Sequence, residues 1–307
     1  MTGVVAASGE QYEISGSGYR AVVTESGGAL RLLEHEDRPL LDGFPPEEMA
    51  SGGRGQLLVP WPNRIRDGAY SFGGRSLQLP LTEPGRHNAS HGLVRWVAWR
   101  VDEHTADSVT LTYRLMAQSG YPWTLDLRVR YAVAADGLTV THSVTNRAAE
   151  PAPYAQGAHP YLTTGPGPCD GWELTLPAAT RSLSDPERKL PTGREPVTGT
   201  ELDFRAPRPI GGVVLDHAFT DLARDDAGRA TVELRDPASG AAVALWVDPS
   251  YPWLMVYTGD DNAAGTRRRS VAVEPMTAQA DAFNSGEDLV TLSPGQTIAA
   301  SWGIHTL

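Results

Sequence analysis

The sequence has little of what several enzyme classes require. Cys169 is the only cysteine among the 307 residues, which excludes an internal disulfide, a cysteine-based zinc site and a CxxC redox pair. Lys189 is the only lysine among the 26 Lys and Arg residues. It lies in the turn-rich stretch from Asp185 to Pro191, a poor setting for the desolvated amine that Schiff-base chemistry requires.

Positive charge and long apolar runs are also scarce. The 26 basic residues face 37 Asp and Glu, a net charge of −11, so we expect neither a nucleic acid nor a membrane as partner. The longest apolar run, Ala241 to Val247, is too short to span a bilayer. The start, Met1 to Glu10, has neither the basic nor the apolar part of a signal peptide. These features predict a cytoplasmic protein.

The common cofactor and nucleophile motifs are missing. The sequence contains no GxxxxGK[ST] phosphate loop, no GxGxxG that opens a helix, no HExxH and no GxSxG. His87 and His91 have a spacing that suits a metal on a helix, but they lie in a predicted loop. We therefore expect no cofactor and no metal.

Hydrophobic residues recur with a period of two, which predicts half-buried antiparallel strands. The segments with this alternation are 109–115, 125–133, 138–144 and 296–306. Ala135-Asp136-Gly137 predicts a hairpin between the second and third of them. Only Thr277 to Phe283 has a helical pattern. The sequence therefore predicts an all-β fold, a large antiparallel β-sandwich in which residues 1–307 form a single domain.

The Pro- and Gly-rich region from Asp170 to Gly212 resembles a linker in composition. Strand-like runs flank it, Trp172 to Leu176 on one side and Val213 to Leu215 on the other. We therefore interpret it as a long loop region inside the same sandwich, with the sheet continuing across it.

Two loop segments carry polar residues suited to binding. Asn63 and Arg64 follow a Pro-Trp-Pro loop, and loops on a rigid scaffold are where binding groups collect. The alternative is an edge loop with a solvated arginine. His91 precedes Gly92 at the start of a strand, where a surface or packed histidine is equally consistent with the pattern.

Three further segments place titratable groups at strand ends. His159 precedes Pro160, which forces an extended backbone, and it is either a ligand-facing or a structural histidine. Glu274 ends an apolar run; it either pairs with an arginine of 267–269 or transfers protons, because desolvation raises a carboxyl pKa. Asp216 lies at a predicted strand edge.

Taken in order, these segments resemble the aldose 1-epimerase (galactose mutarotase) family over nearly the whole chain. The matching residues are Asn63, Arg64, Ile65, Gly68 and Tyr70, then Asn88, His91 and Gly92, then His159, Pro160 and Tyr161, then Asp216, then Glu274 and Pro275 followed by Asp281 to Asn284. The resemblance implies an antiparallel β-supersandwich and an isomerase that interconverts the α and β anomers of a free hexose. It implies a monosaccharide as partner and no metal or nucleotide. We expect a monomer or a homodimer.

The resemblance also implies roles for individual residues. Glu274 corresponds to the general base and His159 to the general acid, with His91 near the ring oxygen and the anomeric carbon. The groups that would hold sugar hydroxyls are Arg64, Asn63 and Asp216. Apolar sugar faces pack on aromatic rings, for which Trp61, Tyr161 and Trp253 are candidates. We predict that Glu274 is ionised and His159 protonated, because mutual proximity favours both charges.

The His-Gly motif continues as Leu93-Val94-Arg95, a form that is more similar to a bacterial subgroup that includes sulfoquinovose mutarotase-like proteins. An anionic hexose is therefore an alternative substrate. Arg66, Arg86 or Arg95 would meet its anionic group at C6, because guanidinium pairs well with sulfonate or phosphate.

Two other classes of function remain open. A noncatalytic carbohydrate-binding protein on the same fold would not need both Glu274 and His159. A glycosidase or lyase would present two opposed acids, and the second acid here is only Asp216, which the resemblance places among the hydroxyl-binding groups.

Overall fold

The computed structural model describes residues 5–307, which form antiparallel sheets joined by turns. In chain order the first strands are β1 (Gln11–Gly16), β2 (Tyr19–Thr24), β3 (Leu30–His35), β4 (Arg38–Pro39), β5 (Leu57–Leu58), β6 (Arg64–Arg66), β7 (Ala69–Phe72), β8 (Arg75–Gln78) and β9 (Asn88–Ser90). The next are β10 (Arg100–His104), β11 (Ser108–Leu115), β12 (Leu125–Ala134), β13 (Gly137–Asn146), β14 (Ala152–Tyr154), β15 (Gly157–Ala158), β16 (Tyr161–Leu162), β17 (Glu173–Thr175) and β18 (Ala178–Ser184). The last are β19 (Pro191–Pro196), β20 (Arg208–Pro209), β21 (Asp216–Leu222), β22 (Ala230–Arg235), β23 (Ala242–Val247), β24 (Trp253–Tyr257), β25 (Val271–Met276), β26 (Val290–Leu292) and β27 (Thr297–Thr306).

Helical structure is minor in this part of the chain. It consists of the 3-10 turns Ser51–Gly53, Pro84–Arg86 and Cys169–Gly171 and of α1 (Ala282–Ser285). No helix in residues 5–307 is long and apolar enough to cross a membrane. Of the segment compared with a signal peptide, residues 1–4 lie outside the described part.

Two large sheets dominate the fold. The nine-stranded sheet has the order β10-β11-β12-β13-β27-β23-β22-β17-β20, and the eight-stranded sheet has the order β19-β18-β21-β24-β25-β15-β5, with β16 also paired to β25. Their ladders are antiparallel. The four strands predicted from alternation are β11, β12, β13 and β27, which are consecutive in the first sheet. The predicted hairpin is confirmed, because Ala134 pairs with Gly137 across its turn.

The core lies between these two sheets. On β12 the alternate residues Leu125, Leu127, Val129, Tyr131 and Val133 are buried. They belong to one buried cluster that also includes Leu254 and Val256 of β24 and Val271 and Val273 of β25. Full burial of a Val or Leu side chain contributes roughly 1.5–3 kcal/mol, so these alternating residues stabilise the packing of the two sheets against each other. The predicted all-β antiparallel sandwich is confirmed.

The second face of the eight-stranded sheet carries a different set of side chains. Since residues alternate between faces, Met255 and Glu274, which pair directly, point away from the core. Asp216 pairs with Tyr257 on that same face, beside Met255. The register of β21, β24 and β25 therefore places two carboxylates on the outer surface of the sheet.

Local predictions near the strand ends were less accurate. The predicted helix from Thr277 to Phe283 is wrong, because Asp281 has a φ of 62° and α1 covers only the last two residues of that segment. The predicted strand from Val213 to Leu215 is also wrong, since β21 begins at Asp216. The region from Asp170 to Gly212 is not one long loop: β17 and β20 join the nine-stranded sheet, and β18 and β19 join the eight-stranded sheet.

Candidate active site

A cleft of about 390 Å³ opens on the outer face of the eight-stranded sheet. The candidate residues that line it are Asn63, Arg64, His91, His159, Tyr161, Asp216 and Glu274. They come from separate strands and loops that are distant in sequence. The fold therefore brings together every candidate catalytic, hydroxyl-binding and aromatic residue except Trp61 and Trp253.

Glu274 and His159 form a buried pair in this cleft. Glu274 Oε1 lies 3.3 Å from His159 Nε2, and the two side chains are 4% and 7% exposed. Within the described residues, Glu274 Oε2 and His159 Nδ1 are buried without a hydrogen-bond partner. Leaving a buried polar atom unsatisfied is costly. A bound molecule that reached Oε2 would remove that cost.

The pKa shifts of this pair oppose the charges predicted for it. Burial raises the pKa of Glu274 to about 8, with a further increase from Asp216 and an opposing effect from Arg64. Burial lowers the pKa of His159 to about 3, assisted by the nearby arginines. Burial disfavours a charge on either group. Both shifts therefore favour the neutral pair, in which the proton resides on Glu274 and His159 is uncharged.

The pair nevertheless holds one proton in total, the same number that an ion pair would hold. Because the two groups are in contact, a bound hydroxyl can exchange its proton with one of them while the other supplies or accepts a second proton. The arrangement is therefore suited to coupled acid–base chemistry on a neutral ligand.

Tyr161 supports His159 rather than forming a stacking platform for a ligand. The two rings are parallel within 10° and their centroids are 4.9 Å apart. The guanidinium of Arg54 lies 4.3 Å from the Tyr161 centroid and is held by Asp42 at 3.1 Å. The Tyr161 hydroxyl donates to the Gly52 carbonyl at 2.8 Å. Since its ring contacts are made within the protein, Tyr161 fixes the plane of the His159 imidazole.

The tryptophan platform predicted from the sequence is also corrected. Trp61 is 2% exposed and packs edge-on against Phe283, with ring centroids 5.7 Å apart. Trp253 is fully buried. Instead, Trp96 lines the cleft and is 49% exposed. The sequence did not identify Trp96 as a cleft residue, because it is one of several apolar residues in a predicted strand.

Asn63 and His91 form a reciprocal pair at the edge of the β6–β9 ladder. The backbone N–H of His91 donates to the Asn63 carbonyl at 2.8 Å, and the Asn63 N–H donates to His91 Nδ1 at 3.2 Å. Nδ1 is therefore an acceptor, which places the ring hydrogen on Nε2. Burial lowers the pKa of His91 well below its usual value. His91 is thus a neutral hydrogen-bond donor, and its ring centroid is 5.7 Å from that of His159.

The backbone geometry explains why the His-Gly motif has a glycine at its second position. Gly92 has a φ of 71°, and a Cβ there would lie 2.0 Å from the Val59 carbonyl oxygen. The backbone approach that holds the His91 segment against Val59 therefore requires glycine.

Arg64 and Asp216 are each held by a partner that the sequence did not indicate. Arg64 makes a two-pronged contact with Glu83, at 2.7 Å from Nε and 2.9 Å from a terminal nitrogen. Asp216 Oδ2 lies 2.9 Å from the Lys189 ammonium. Both charged groups are therefore fixed in orientation before any ligand binds.

The three arginines considered for an anionic substituent differ in position. Arg66 pairs with Asp281, is 47% exposed and does not line the cleft, so that candidate is wrong. Arg86 lines the cleft and is already paired with a carboxylate at 3.2 Å. Arg95 lines the cleft, and its side-chain hydrogen bond is to Gln56 at 3.4 Å. Burial lowers the Arg95 pKa, which is the effect expected of a cation without a close anion.

Comparison with known proteins shows which family the chain belongs to. The family model described as aldose 1-epimerase matches residues 10–305. The uncharacterized protein YihR of Escherichia coli K12 is 35% identical over 290 residues, covering 94% of this chain and 91% of that protein. The GalM/aldose epimerase homologue of C. elegans has a similar fold, with a TM-score of 0.86, 20% identity and coverage of 97% and 98%. A galactose mutarotase-like protein of Clostridium acetobutylicum gives a TM-score of 0.82, 18% identity and coverage of 96% and 94%. The chain therefore belongs to the aldose 1-epimerase family.

Proposed function

We propose that this protein is a mutarotase that interconverts the α and β anomers of a free hexose. The observation that carries the proposal is the buried contact between Glu274 and His159, in which one carboxyl oxygen has no partner within the described residues. The surrounding cleft offers hydroxyl-binding groups on Arg64, Asn63 and Asp216. A neutral sugar with several hydroxyls fits this set of donors and acceptors.

The reaction requires two proton transfers in each direction. To open the ring, Glu274 as carboxylate takes the proton of the anomeric hydroxyl, and His159 as imidazolium gives a proton to the ring oxygen. This step needs the single proton of the pair to move first from Glu274 to His159 across their contact. Hydrogen bonds from the sugar to the carboxyl favour that transfer, because they stabilise its charged form.

Ring opening returns the proton to Glu274 and leaves His159 neutral, which is the resting distribution. The aldehyde then rotates about its C1–C2 bond. For closure His159 removes the proton from the former ring hydroxyl and Glu274 protonates the carbonyl oxygen, forming either anomer. The Nε2–H of His91 is available as a further donor to the sugar oxygens. Each well-placed acid or base contributes about 10²–10⁴-fold.

The test is saturation-transfer NMR of anomer exchange with glucose, galactose, a hexose 6-phosphate and sulfoquinovose, after subtraction of the spontaneous rate. We expect acceleration for at least one of them. Sugar binding without acceleration of any would instead support the carbohydrate-binding alternative.

The pH dependence of exchange provides a second check. Since the Glu274 pKa is about 8 and the His159 pKa about 3, the pair holds its single proton throughout this window. We expect kcat/KM to stay high from pH 5 to 7 and to fall about tenfold per pH unit well above 8, when that proton is lost. A rate that rises with pH through an inflection near 4–5 would contradict this assignment, because it would indicate a carboxyl that ionises normally.

An anionic hexose is the second candidate substrate, and the position of Arg95 favours it. Its guanidinium carbon lies in the cleft 5.7 Å from the centroid of the Trp96 ring, and among the described residues no carboxylate lies within salt-bridge distance of it. Arg95→Gln is expected to lower kcat/KM for the anionic sugar, relative to the neutral one, by about tenfold or more. Arg66→Gln is the matched control outside the cleft. An equal loss for both sugars would argue against contact between Arg95 and an anionic group.

A further inference from the structure

The only lysine of the chain lies in a turn of defined shape between β18 and β19. The Asp185 carboxylate accepts hydrogen bonds from the backbone N–H groups of Glu187 at 2.8 Å and Arg188 at 3.0 Å. Lys189 itself has a φ of 57°. The turn therefore directs the lysine side chain by its own backbone geometry.

Arg188 anchors this turn to the segment that leads to His91. Its guanidinium donates to Asp67 at 2.8 Å and to the His87 carbonyl at 2.7 Å. In return, the Asn88 side chain donates to the Arg188 carbonyl at 2.9 Å. The turn is thus fastened to a wall of the cleft instead of extending into solvent.

The anchored turn brings the Lys189 ammonium to Asp216, at 2.9 Å from Oδ2, with both side chains about three-quarters buried. The pair borders a recess of about 30 Å³ that adjoins the cleft. The residues shared by the recess and the cleft are Asn63, Arg64, Asp216 and Met255. A space of this size holds one group as large as a water molecule or a hydroxyl.

We propose that Lys189 is a substrate-recognition residue, which with Asp216 binds one hydroxyl of the sugar at the mouth of this recess. The proposal rests on the proposed function, because it assigns a further contact in the same site. An ammonium only donates hydrogen bonds and a carboxylate only accepts them, whereas a hydroxyl does both. The paired charges cancel, so the couple recognises a neutral hydroxyl.

The first experiment uses the fact that the chain has one lysine. Reductive methylation of the full chain with ¹³C-formaldehyde labels only Lys189 and the amino terminus, and methylation keeps the positive charge. Lys189→Arg identifies the lysine signal by its loss. We expect the sugar to shift this signal, with a half-maximal effect near the KM for exchange. A signal that does not move at saturating sugar, while exchange continues, would overturn the proposal.

The second experiment separates recognition from a structural role. Lys189→Met is expected to raise KM about tenfold with kcat changed less than threefold, and Lys189→Arg to recover most of the loss. The matched control is Arg205→Met, which removes a cation 2.7 Å from Asp203 in an exposed turn. If Lys189→Met and the control both change only thermal stability, Lys189 is structural and the proposal fails.

A panel of monodeoxy sugars identifies the hydroxyl. The wild type is expected to discriminate against one of them by about hundredfold, and Lys189→Met to lose most of that discrimination. Equal discrimination by both proteins would contradict the proposal. A sugar-dependent Lys189 shift without any exchange would uphold recognition and overturn the mutarotase function, so the two failures are distinguishable.

Discussion

Replacing Glu274 with glutamine is expected to lower kcat for anomer exchange by about 10³–10⁴-fold. The amide has nearly the shape of the carboxyl group but can neither accept nor release a proton at the anomeric oxygen. It can still hydrogen-bond the sugar, so the dissociation constant is expected to change only a few-fold. Saturation-transfer NMR measures exchange, and titration calorimetry measures binding. Exchange above about a tenth of the wild-type rate would exclude Glu274 as the base.

The free energy of unfolding, measured for the wild type and for Glu274→Gln over a range of pH, shows whether the variant is folded. It also tests whether the buried carboxyl of Glu274 titrates as described. The folded-state pKa of Glu274, about 8, lies above its usual 4.5. Its contribution to the free energy of unfolding is therefore fully present below about pH 4.5 and is lost as pH rises to 8. The loss is on the order of 4 kcal/mol. Glu274→Gln is expected to remove this part of the dependence, whereas Glu233→Gln on β22 of the other sheet should keep it.

His159 has the opposite effect at acid pH. Its folded-state pKa of about 3 lies below the usual 6.5, so stability falls as pH drops from 6.5 towards 3. Burial also lowers the pKa of His142 to about 3, so the protonation of His142 adds to that loss of stability. The two ranges overlap between pH 4.5 and 6.5, where the effects of Glu274 and His159 cancel and that of His142 remains, so the wild type is expected to be most stable near pH 6.5. Denaturant titrations from pH 4 to 9 measure the whole profile.

The elements that the sequence predicted correctly have causes within a few residues. Alternation from Leu125 to Val133 reports one buried face, and Ala135-Asp136 forms the turn that joins β12 to β13. The helix predicted over 277–283 did not form as expected, because contacts with β6 set the positive φ at Asp281. Both the carboxylate and the backbone N–H of Asp281 bind to that strand.

The site was only partly predictable, because several of its contacts join residues that are distant in the sequence. Motif order identified Glu274 and His159, which the fold places in contact. Nothing near Glu83 indicates that it holds Arg64, and nothing near Lys189 indicates that it reaches Asp216, since both contacts follow from how the strands are arranged. The charges predicted for Glu274 and His159 oppose their pKa shifts for the same reason, because burial is a property of the assembled sheets. An aromatic residue in a motif loop, such as Trp61, fits a core and a cleft equally well until its surroundings are known.

Replacing Gly53 with alanine is expected to lower kcat/KM by about hundredfold. Gly53 has a φ of 79°, and its Cβ would lie 2.7 Å from Cδ2 of His159. The imidazole cannot easily move away, because it is stacked on Tyr161, whose other contacts are with Arg54 and Gly52. A displacement of about 1 Å in a catalytic group can cost about 10²-fold in rate.

The matched control for this variant is Gly74→Ala. Gly74 has a similar φ of 75° in the β7–β8 hairpin, and no atom lies within 4 Å of the Cβ that alanine would add. Both substitutions impose a comparable backbone strain of about 1 kcal/mol, but only that at Gly53 meets the imidazole. We therefore expect Gly53→Ala to lose more stability, because of the added clash, and Gly74→Ala to keep its exchange rate. Equal rates in the two variants would show that the position of the His159 ring does not limit the reaction, and that the stack of Arg54, Tyr161 and His159 serves stability alone.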